Sequence, residues 1–233
     1  SKSYKQEFNV SEEDLAIVSV KNHKQAQKNP NALSKKTYSV EDVINSKKLT
    51  EDLRLLNCSR PCSGGASIVL ASEEISKKIT DTPVWISGIG QKTTSAGFTK
   101  NESLFSMNSS KQASESALKM ANKNISQVDV AEIHDAFSVC EPMALEAIGF
   151  TNQGEGMSLV KNLHETNNFK INSRGGLIGC GHPLGATGIS QTIEIVQQLQ
   201  QSAEGRQVDN PEIGLVHNMS AAATSSTVLV LEK

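Results

Sequence analysis

Two histidines stand where catalytic groups are expected in this sequence. His134 follows the apolar run VAEI and precedes Asp135, so it is predicted at the carboxyl end of a strand, where open α/β sheets bind their ligands. His182 lies in GGLIGCGHPLGATG, residues 175–188. Glycines at this density let backbone pass close to a ligand, and the helix predicted after them offers its positive end to an oxyanion or phosphate. For His134, the alternative is a histidine that caps the next helix.

Two further residues are candidates on weaker grounds. Cys180 lies two residues before His182, so the imidazole and the helix end would lower the pKa of its thiol; the alternative is a small buried residue beside glycines. His217, in LVHNMS, follows an apolar run and is expected at the same sheet edge as His134. The remaining two histidines, His23 and His164, lie in polar segments and are predicted to face solvent.

The cysteines predict neither a disulfide scaffold nor a metal site. Four cysteines in 233 residues are too few and too scattered for a disulfide framework, which favours a reducing, cytoplasmic compartment. Cys58 and Cys62 form a C-x3-C pair without the second pair of ligands that a structural zinc site needs. We therefore predict no metal.

The apolar patterning predicts strands that alternate with helices. Strands are expected over residues 66–71, 83–91 and 128–133 and in IGLVHN and STVLVLEK, the last two forming an antiparallel edge hairpin. Helices are expected over residues 11–29, 39–45, 72–78, 109–123, 137–148 and 189–201. This order predicts an α/β fold built of βαβ units, with a mixed, mostly parallel sheet covered by helices. Residues 1–56 are polar and helical, typical of an insertion that does not fold alone.

The charge balance excludes two classes of partner. Lys and Arg number 23 against 25 Asp and Glu, with no long basic run, so the chain lacks the positive surface that nucleic-acid binding requires. No stretch approaches the roughly 20 apolar residues needed to cross a bilayer. Neither nucleic acid nor membrane is expected as a partner.

The motifs EIHDAF, GGLIGCGHPLGATG and GLVHN, taken together, resemble those of the thiolase superfamily, most closely the sterol-carrier-protein-type thiolases and their archaeal and bacterial relatives. The resemblance continues through KNHKQAQKNP, LTEDLRLLNCSRPCSGGASIVLASE, AIGFTNQGEG and AEGRQV. Such ordered agreement over nearly the whole chain is specific, whereas one glycine-rich motif is not.

The resemblance implies a five-layered αβαβα fold of two similar halves, usually assembled as homodimers. This chain would be the C-terminal portion: residues 1–56 the end of a helical loop insertion, 57–80 the last strand and helix of the first half, and 81–233 the complete second half. The nucleophilic cysteine of the family would lie upstream, in the missing N-terminal half. None of the four cysteines here matches it.

The resemblance also implies roles for individual residues. The implied activity is that of an acetyl-CoA acetyltransferase or 3-oxoacyl-CoA thiolase, with the CoA thioester as substrate and no cofactor. His182 would activate the nucleophilic cysteine and line an oxyanion hole, and His134 would make a second oxyanion contact. Asn218, Gly181 and Gly185 would belong to the loops whose backbone surrounds the oxyanion. The portion by itself is expected to be inactive.

Three departures from the family pattern keep other functions open. Ala136 stands where many of these thiolases carry an acid/base cysteine, a role for which Cys180 is the possible replacement. Ser220 to Ala223 replaces a glycine-rich loop, and Cys62-Ser63-Gly64-Gly65 replaces Ser-Asp-Gly-Ala. One alternative is a retro-aldolase or lyase on acyl-CoA working with a small OB-fold subunit. The other is a non-catalytic CoA-binding subunit.

Overall fold

The computed structural model describes residues 1–94 and 103–233. The helices are α1 (Lys2–Phe8), α2 (Glu12–Ala26), α3 (Val40–Asn45), α4 (Glu73–Ile79), α5 (Asn108–Ala121), α6 (Cys140–Ile148), α7 (Gly156–Glu165), α8 (Gly176–Cys180) and α9 (Thr187–Leu199). The strands are β1 (Lys48–Thr50), β2 (Leu53–Arg54), β3 (Trp85–Thr93), β4 (Val130–Glu132), β5 (Ile213–Met219) and β6 (Ser225–Glu232). Six helices thus lie where the sequence predicts them.

Helices α2 and α3 begin at capping boxes. The hydroxyl of Ser11 accepts from the backbone N–H of Asp14 at 3.0 Å, and the Asp14 carboxylate accepts from the N–H of Ser11 at 3.1 Å. Ser39 and Asp42 repeat the arrangement at the start of α3. Each pair satisfies two N–H groups that a helix end would otherwise leave without partners, and this fixes where both helices start.

The main sheet is mixed, in the order β3-β6-β5-β4. Only β4 and β5 pair in parallel, while β3 with β6 and β5 with β6 are antiparallel. The expected helix-covered mixed sheet is confirmed, but the expectation that it is mostly parallel is wrong for the described strands. The short connection at residues 220–224 permits only an antiparallel return. The predicted hairpin β5–β6 lies at the centre of the sheet rather than its edge, since β3 and β4 flank it.

The predicted strand at residues 66–71 does not form. Val69 and Leu70 are 90% and 71% exposed, and the segment pairs with no strand among the described residues. An apolar run becomes a strand only where a neighbour accepts its backbone hydrogen bonds, and no described strand lies beside this one. The helix expected after it is confirmed as α4.

Helix α5 packs directly on strands β3 and β6 because two glycines leave room for it. A Cβ atom on Gly88 or Gly90 would lie 2.1 Å or 1.9 Å from the carbonyl oxygens of Ala117 and Ala113. Any side chain there would push the helix away from the sheet. On the other face, a Cβ on Gly214 would lie 2.2 Å from Ile195 of α9. The sheet is therefore covered closely on both faces.

Helix α2 is buried and carries polar side chains into the interior. Lys21 forms an ion pair with Glu141 at 2.9 Å, with side chains 2% and 0% exposed. Asn22 donates to Asp135 at 2.7 Å and to Glu141 at 2.8 Å. One cation thus compensates two neighbouring carboxyl groups, and α2 is tied to the segment that follows β4. Whether residues 1–56 are a loop insertion stays a prediction.

The prediction that His23 faces solvent is wrong. Its ring is 3% exposed, pairs through Nδ1 with the Ser34 hydroxyl at 2.8 Å, and stands edge-on to Tyr38 at 4.8 Å between ring centroids. Burial lowers the pKa of His23 to about 4. Because α2 buries polar residues as well as apolar ones, polarity alone did not reveal its inner face. His164 is partly buried.

Replacing Lys21 by Met should lower the free energy of unfolding by about 3–5 kcal/mol, because a buried carboxylate pair loses its compensating cation. Lys24→Met, three residues along the same helix at an exposed position, is the matched control and should change stability by less than about 0.5 kcal/mol. Urea unfolding followed by circular dichroism measures both. Equal effects of the two substitutions would contradict the buried ion pair.

Candidate active site

Strands β4 and β5 bring two sequence motifs to one sheet edge. They pair in parallel, with Glu132 opposite Val216, so His134 and Asn218 follow at the same level of the sheet. Carboxyl ends of parallel strands are where such sheets place ligand-binding side chains. The predicted edge location of His134 is therefore confirmed by the pairing register.

The loop that carries His182 is brought to this edge by Asp135. The Asp135 carboxylate accepts from the backbone N–H groups of Leu177 at 2.5 Å and Ile178 at 3.3 Å, in the first turn of α8. Gly176 has a φ of +58°, and a Cβ there would lie 2.2 Å from the carboxylate. Only glycine lets the backbone approach so closely. The residue after His134 thus fixes the segment that leads to His182.

The two imidazoles stand edge to face at the site. The ring centroids of His134 and His182 are 5.1 Å apart, with an interplanar angle of 86°. The backbone N–H of His182 donates to the carbonyl of Arg60 at 2.9 Å, which ties the loop to the segment around Pro61. Two histidines that are 48 residues apart in sequence are therefore in ring contact.

Both rings border one cavity of about 630 Å³. Asn218 lies on the same polar side, and the rest of the wall is predominantly apolar: it includes Leu104, Met107, Ala136, Phe137, Cys140, Met143, Leu184, Met219 and residues 221–223. A largely apolar cavity with a few converging polar groups is the usual form of a small-molecule site.

Both imidazoles are held neutral. Burial, aided by the neighbouring rings of His217 and His182, lowers the pKa of His134 to about 3. Its Nδ1 lies 3.1 Å from Asn218 Nδ2. Burial and the charge of Arg174 also lower the pKa of His182, whose Nδ1 lies 2.8 Å from the Thr187 hydroxyl. At neutral pH, each ring can therefore act as a hydrogen-bond donor or a proton acceptor without first losing a proton.

His217 reaches the expected edge but lies behind the site. It is fully buried, does not border the cavity, and its Nε2 lies 2.9 Å from the Ser110 hydroxyl. Burial lowers its pKa to about 4. It is a positioning residue for His134, whose backbone N–H donates to His217 Nδ1 at 3.5 Å.

A chain of hydroxyls fixes the tautomer of His217. Ser109 donates to the carbonyl of Ala223 at 2.6 Å, so it must accept from Ser226 at 2.7 Å. Ser226 in turn accepts from Ser110 at 2.9 Å. Ser110 then has only its lone pairs to offer, and His217 Nε2 must carry the proton.

Cys180, Gly181 and Gly185 are not brought to the cavity. The Cys180 thiol donates to the carbonyl of Arg174 at 2.9 Å, and burial raises its pKa to about 12 rather than lowering it. The N–H of Gly181 donates to the carbonyl of Leu177 at 2.9 Å, and Gly185 is exposed. The Cys180 thiol is thus half-buried beside glycines and directed at a backbone carbonyl.

Sequence analysis missed Gln191, Ser110 and Ser226. All three are buried. Gln191 contacts Asn218, Ser110 contacts His217, and Ser226 contacts Ser110, yet each lies in an ordinary helix or strand pattern. A buried polar residue inside a helix leaves no local signal. Only the packing of α5 and α9 against the sheet shows that these side chains reach the site.

Alanines replace glycines in a strained loop beside the cavity. Ala222 and Ala223 have φ values of +56° and +51°, in the left-handed region that costs a residue with a Cβ about 1–2 kcal/mol. Both alanines therefore hold a backbone conformation that glycine would adopt at lower cost.

Two features are absent from residues 1–94 and 103–233. No group of three or more His, Cys, Asp or Glu side chains there is arranged to hold a metal ion. None of the helices described in these ranges is long and apolar enough to cross a membrane.

The sequence matches a family model described as thiolase C-terminal domain-like over residues 90–233. The chain is 34% identical to an acetyl-CoA acetyltransferase of Methanothermobacter thermautotrophicus over 229 residues, which is 97% of this chain and 60% of that protein. It is 33% identical to sterol carrier protein 2 of Bos taurus over 225 residues, 94% of this chain and 41% of that protein. The chain belongs to the thiolase C-terminal domain-like family, and it spans 60% or less of these relatives' lengths.

Solved structures agree on the fold. An Ltp2-ChsH2(DUF35) aldolase superposes with a TM-score of 0.85 at 20% identity, covering 99% of this chain and 61% of that chain. The Bacillus anthracis acetyl-CoA acetyltransferase gives a TM-score of 0.69 at 18% identity, covering 98% and 58%. The expected thiolase-like fold is confirmed.

Ala222→Gly should raise the free energy of unfolding by about 1 kcal/mol, because glycine relieves the left-handed strain and loses only part of the gain to unfolded-chain entropy. Ala221→Gly is the control, since Ala221 is equally exposed but has no positive φ, and it should be neutral or destabilising. Thermal unfolding measures both. A destabilised Ala222→Gly variant would contradict the strained loop.

His217→Gln should make the free energy of unfolding less dependent on pH below about 6.5. Below pH 6.5 the unfolded ring takes up a proton, whereas the folded ring stays neutral down to about pH 4. The wild type therefore loses free energy of unfolding relative to the variant as pH falls from about 6.5 to about 4, and retains the full contribution of this ring above 6.5. Urea unfolding at four pH values in this window tests it. Parallel curves for the two proteins would contradict it.

Proposed function

We propose that this chain is the C-terminal portion of a thiolase-type acyltransferase, an acetyl-CoA acetyltransferase or 3-oxoacyl-CoA thiolase of the cytoplasm. The observation that carries the proposal is the pair of neutral imidazoles, His134 and His182, 5.1 Å apart on a largely apolar cavity. The substrate is a CoA thioester, and the reaction uses no cofactor. The nucleophilic cysteine belongs to the thiolase half that these residues do not include.

The chemistry follows from neutral rings. His182 accepts the proton of the incoming cysteine thiol, and the thiolate attacks the 3-oxo carbonyl of the substrate. The bond between the second and third acyl carbons then breaks, giving an acyl-enzyme and the enolate of acetyl-CoA, which takes up the proton that left the cysteine thiol. CoA thiol takes the acyl group in the second half-reaction, and its proton returns to the cysteine.

His134 supports the charge that forms during this cleavage. The enolate carries its negative charge on the thioester oxygen, and a fixed donor at that oxygen stabilises the transition state more than the ground state. A neutral imidazole supplies such a donor without the cost of burying a cation. The largely apolar wall lowers the local dielectric, which strengthens the contact.

Assembly is part of the same proposal. The complete enzyme, meaning this chain together with the thiolase half that supplies the cysteine, is proposed to be a homodimer. A small OB-fold subunit belongs to the alternative function, a retro-aldolase or lyase on acyl-CoA. Ala136 borders the cavity and gives that position no acid/base group, which is the observation that favours the alternative.

His134→Ala in the complete enzyme should lower kcat for thiolysis of acetoacetyl-CoA by about 10²–10³-fold, the usual effect of deleting one oxyanion donor. His164→Ala is the control, since that ring does not border the cavity, and it should leave kcat unchanged. The 233-residue chain assayed alone should show no turnover. Cleavage of a 3-hydroxyacyl-CoA with no thiolysis by the complete enzyme would replace this proposal by the lyase.

A further inference from the structure

Gln191, on the buried side of α9, joins a backbone carbonyl to the site through two hydrogen bonds. Its Nε2 lies 3.2 Å from the carbonyl oxygen of His217, and its Oε1 lies 2.9 Å from Asn218 Nδ2. The same Asn218 nitrogen lies 3.1 Å from His134 Nδ1. Gln191 itself has no exposed surface, so water cannot replace either contact.

The direction of these hydrogen bonds is fixed from the carbonyl outward. The carbonyl of His217 can only accept, so the Gln191 amide must turn its NH2 group toward it. Oε1 of Gln191 then accepts from Asn218, and the second hydrogen on Asn218 Nδ2 points to His134. Since Nδ1 of His134 must accept that hydrogen, the proton of the neutral ring is on Nε2.

Reversing the directions of these hydrogen bonds is costly. Turning the Gln191 amide around would set its oxygen against the carbonyl of His217 at 3.2 Å, two acceptors facing each other in a buried site. Turning the Asn218 amide alone would bring its oxygen against the oxygen of Gln191. The backbone of β5, paired along its length with β6, cannot turn to relieve either clash.

We propose that Gln191 is a positioning residue that acts through Asn218 to hold His134 in the Nε2–H tautomer, so that this ring offers a donor to the cavity. The consequence for catalysis rests on the proposed function, because a thioester enolate needs a donor at its oxygen. In the other tautomer, a lone pair of His134 would face that oxygen and repel it. Gln191 contacts no reacting atom.

The first experiment reads the tautomer directly and needs no activity. The complete enzyme is labelled with 15N-histidine, and long-range 1H–15N NMR correlations show which ring nitrogen carries the proton. His134→Asn identifies the resonances of His134 by their loss. Protonated Nε2 and bare Nδ1 are expected in the wild type. A proton on Nδ1 would overturn the proposal.

The second experiment assigns the effect to Gln191. Gln191→Met removes the acceptor for Asn218, so the Asn218 amide can turn and a second, Nδ1–H population of His134 should appear, with kcat reduced by about 2–10-fold. Gln191→Glu is the matched control. In this buried position the carboxyl group stays protonated, donates its O–H to the carbonyl of His217 and still accepts from Asn218, so a single Nε2–H tautomer should remain. Gln191→Met with an unchanged single tautomer would overturn the proposal.

Asn218→Asp keeps the test decisive if Gln191→Met does not fold. An ionised aspartate can only accept, so His134 Nδ1 should carry a proton in this variant, and kcat should fall about 10²–10³-fold with KM changed by less than about threefold. An unchanged tautomer would overturn the proposal. Thiolysis absent from the wild type, with the Nε2–H tautomer present, would instead overturn the proposed function alone.

Discussion

The site depends on one buried carboxylate, that of Asp135. It receives the first N–H groups of α8 on one side and the amide of Asn22 from α2 on the other, so three segments that are distant in sequence meet at one side chain. Its side chain is fully buried, and burial with the neighbouring carboxyl group of Glu141 raises its pKa, while the three N–H groups around it favour the ionised form. Together with the Arg174–Glu132 ion pair at 3.0 Å, it holds the loop of His182 against the strand of His134.

Near Asp135, burial keeps the imidazoles of His134 and His217 neutral. Hydrogen bonds that start at backbone carbonyls determine which nitrogen of each ring carries the proton. The carbonyl of Ala223 determines the proton position on His217 through three serines. The carbonyl of His217 does the same for His134 through two amides. A backbone carbonyl can only accept a hydrogen bond, so it is a fixed reference from which side-chain hydrogen bonds take their direction. Proton positions at this site thus follow from the backbone.

The errors of sequence analysis share a physical cause. Residues 66–71 have the composition of a buried strand but no partner strand among the described residues, and Val69 is left exposed. His23 looks solvent-facing because its helix is polar, yet α2 buries its polar residues against Asp135 and Glu141. Cys180 is close to His182 in sequence but its thiol turns to the carbonyl of Arg174. In each case, the tertiary neighbours decided the environment of the residues, and the local sequence pattern did not reveal those neighbours.

The sequence by itself determined helices α2 and α3, the strands of the central hairpin and the family, and it singled out His134 and His182 as candidates. These follow from local propensity, from periodicity and from motifs that are continuous in the chain. Only the tertiary structure decided that His217 stands behind the site, that Cys180 lies outside it, and that Gln191 and Asn218 orient His134. The two contacts that orient His134 join residues 27 and 84 positions apart. Hydrogen-bond direction and burial are properties of the packed neighbours, which no local stretch of sequence contains.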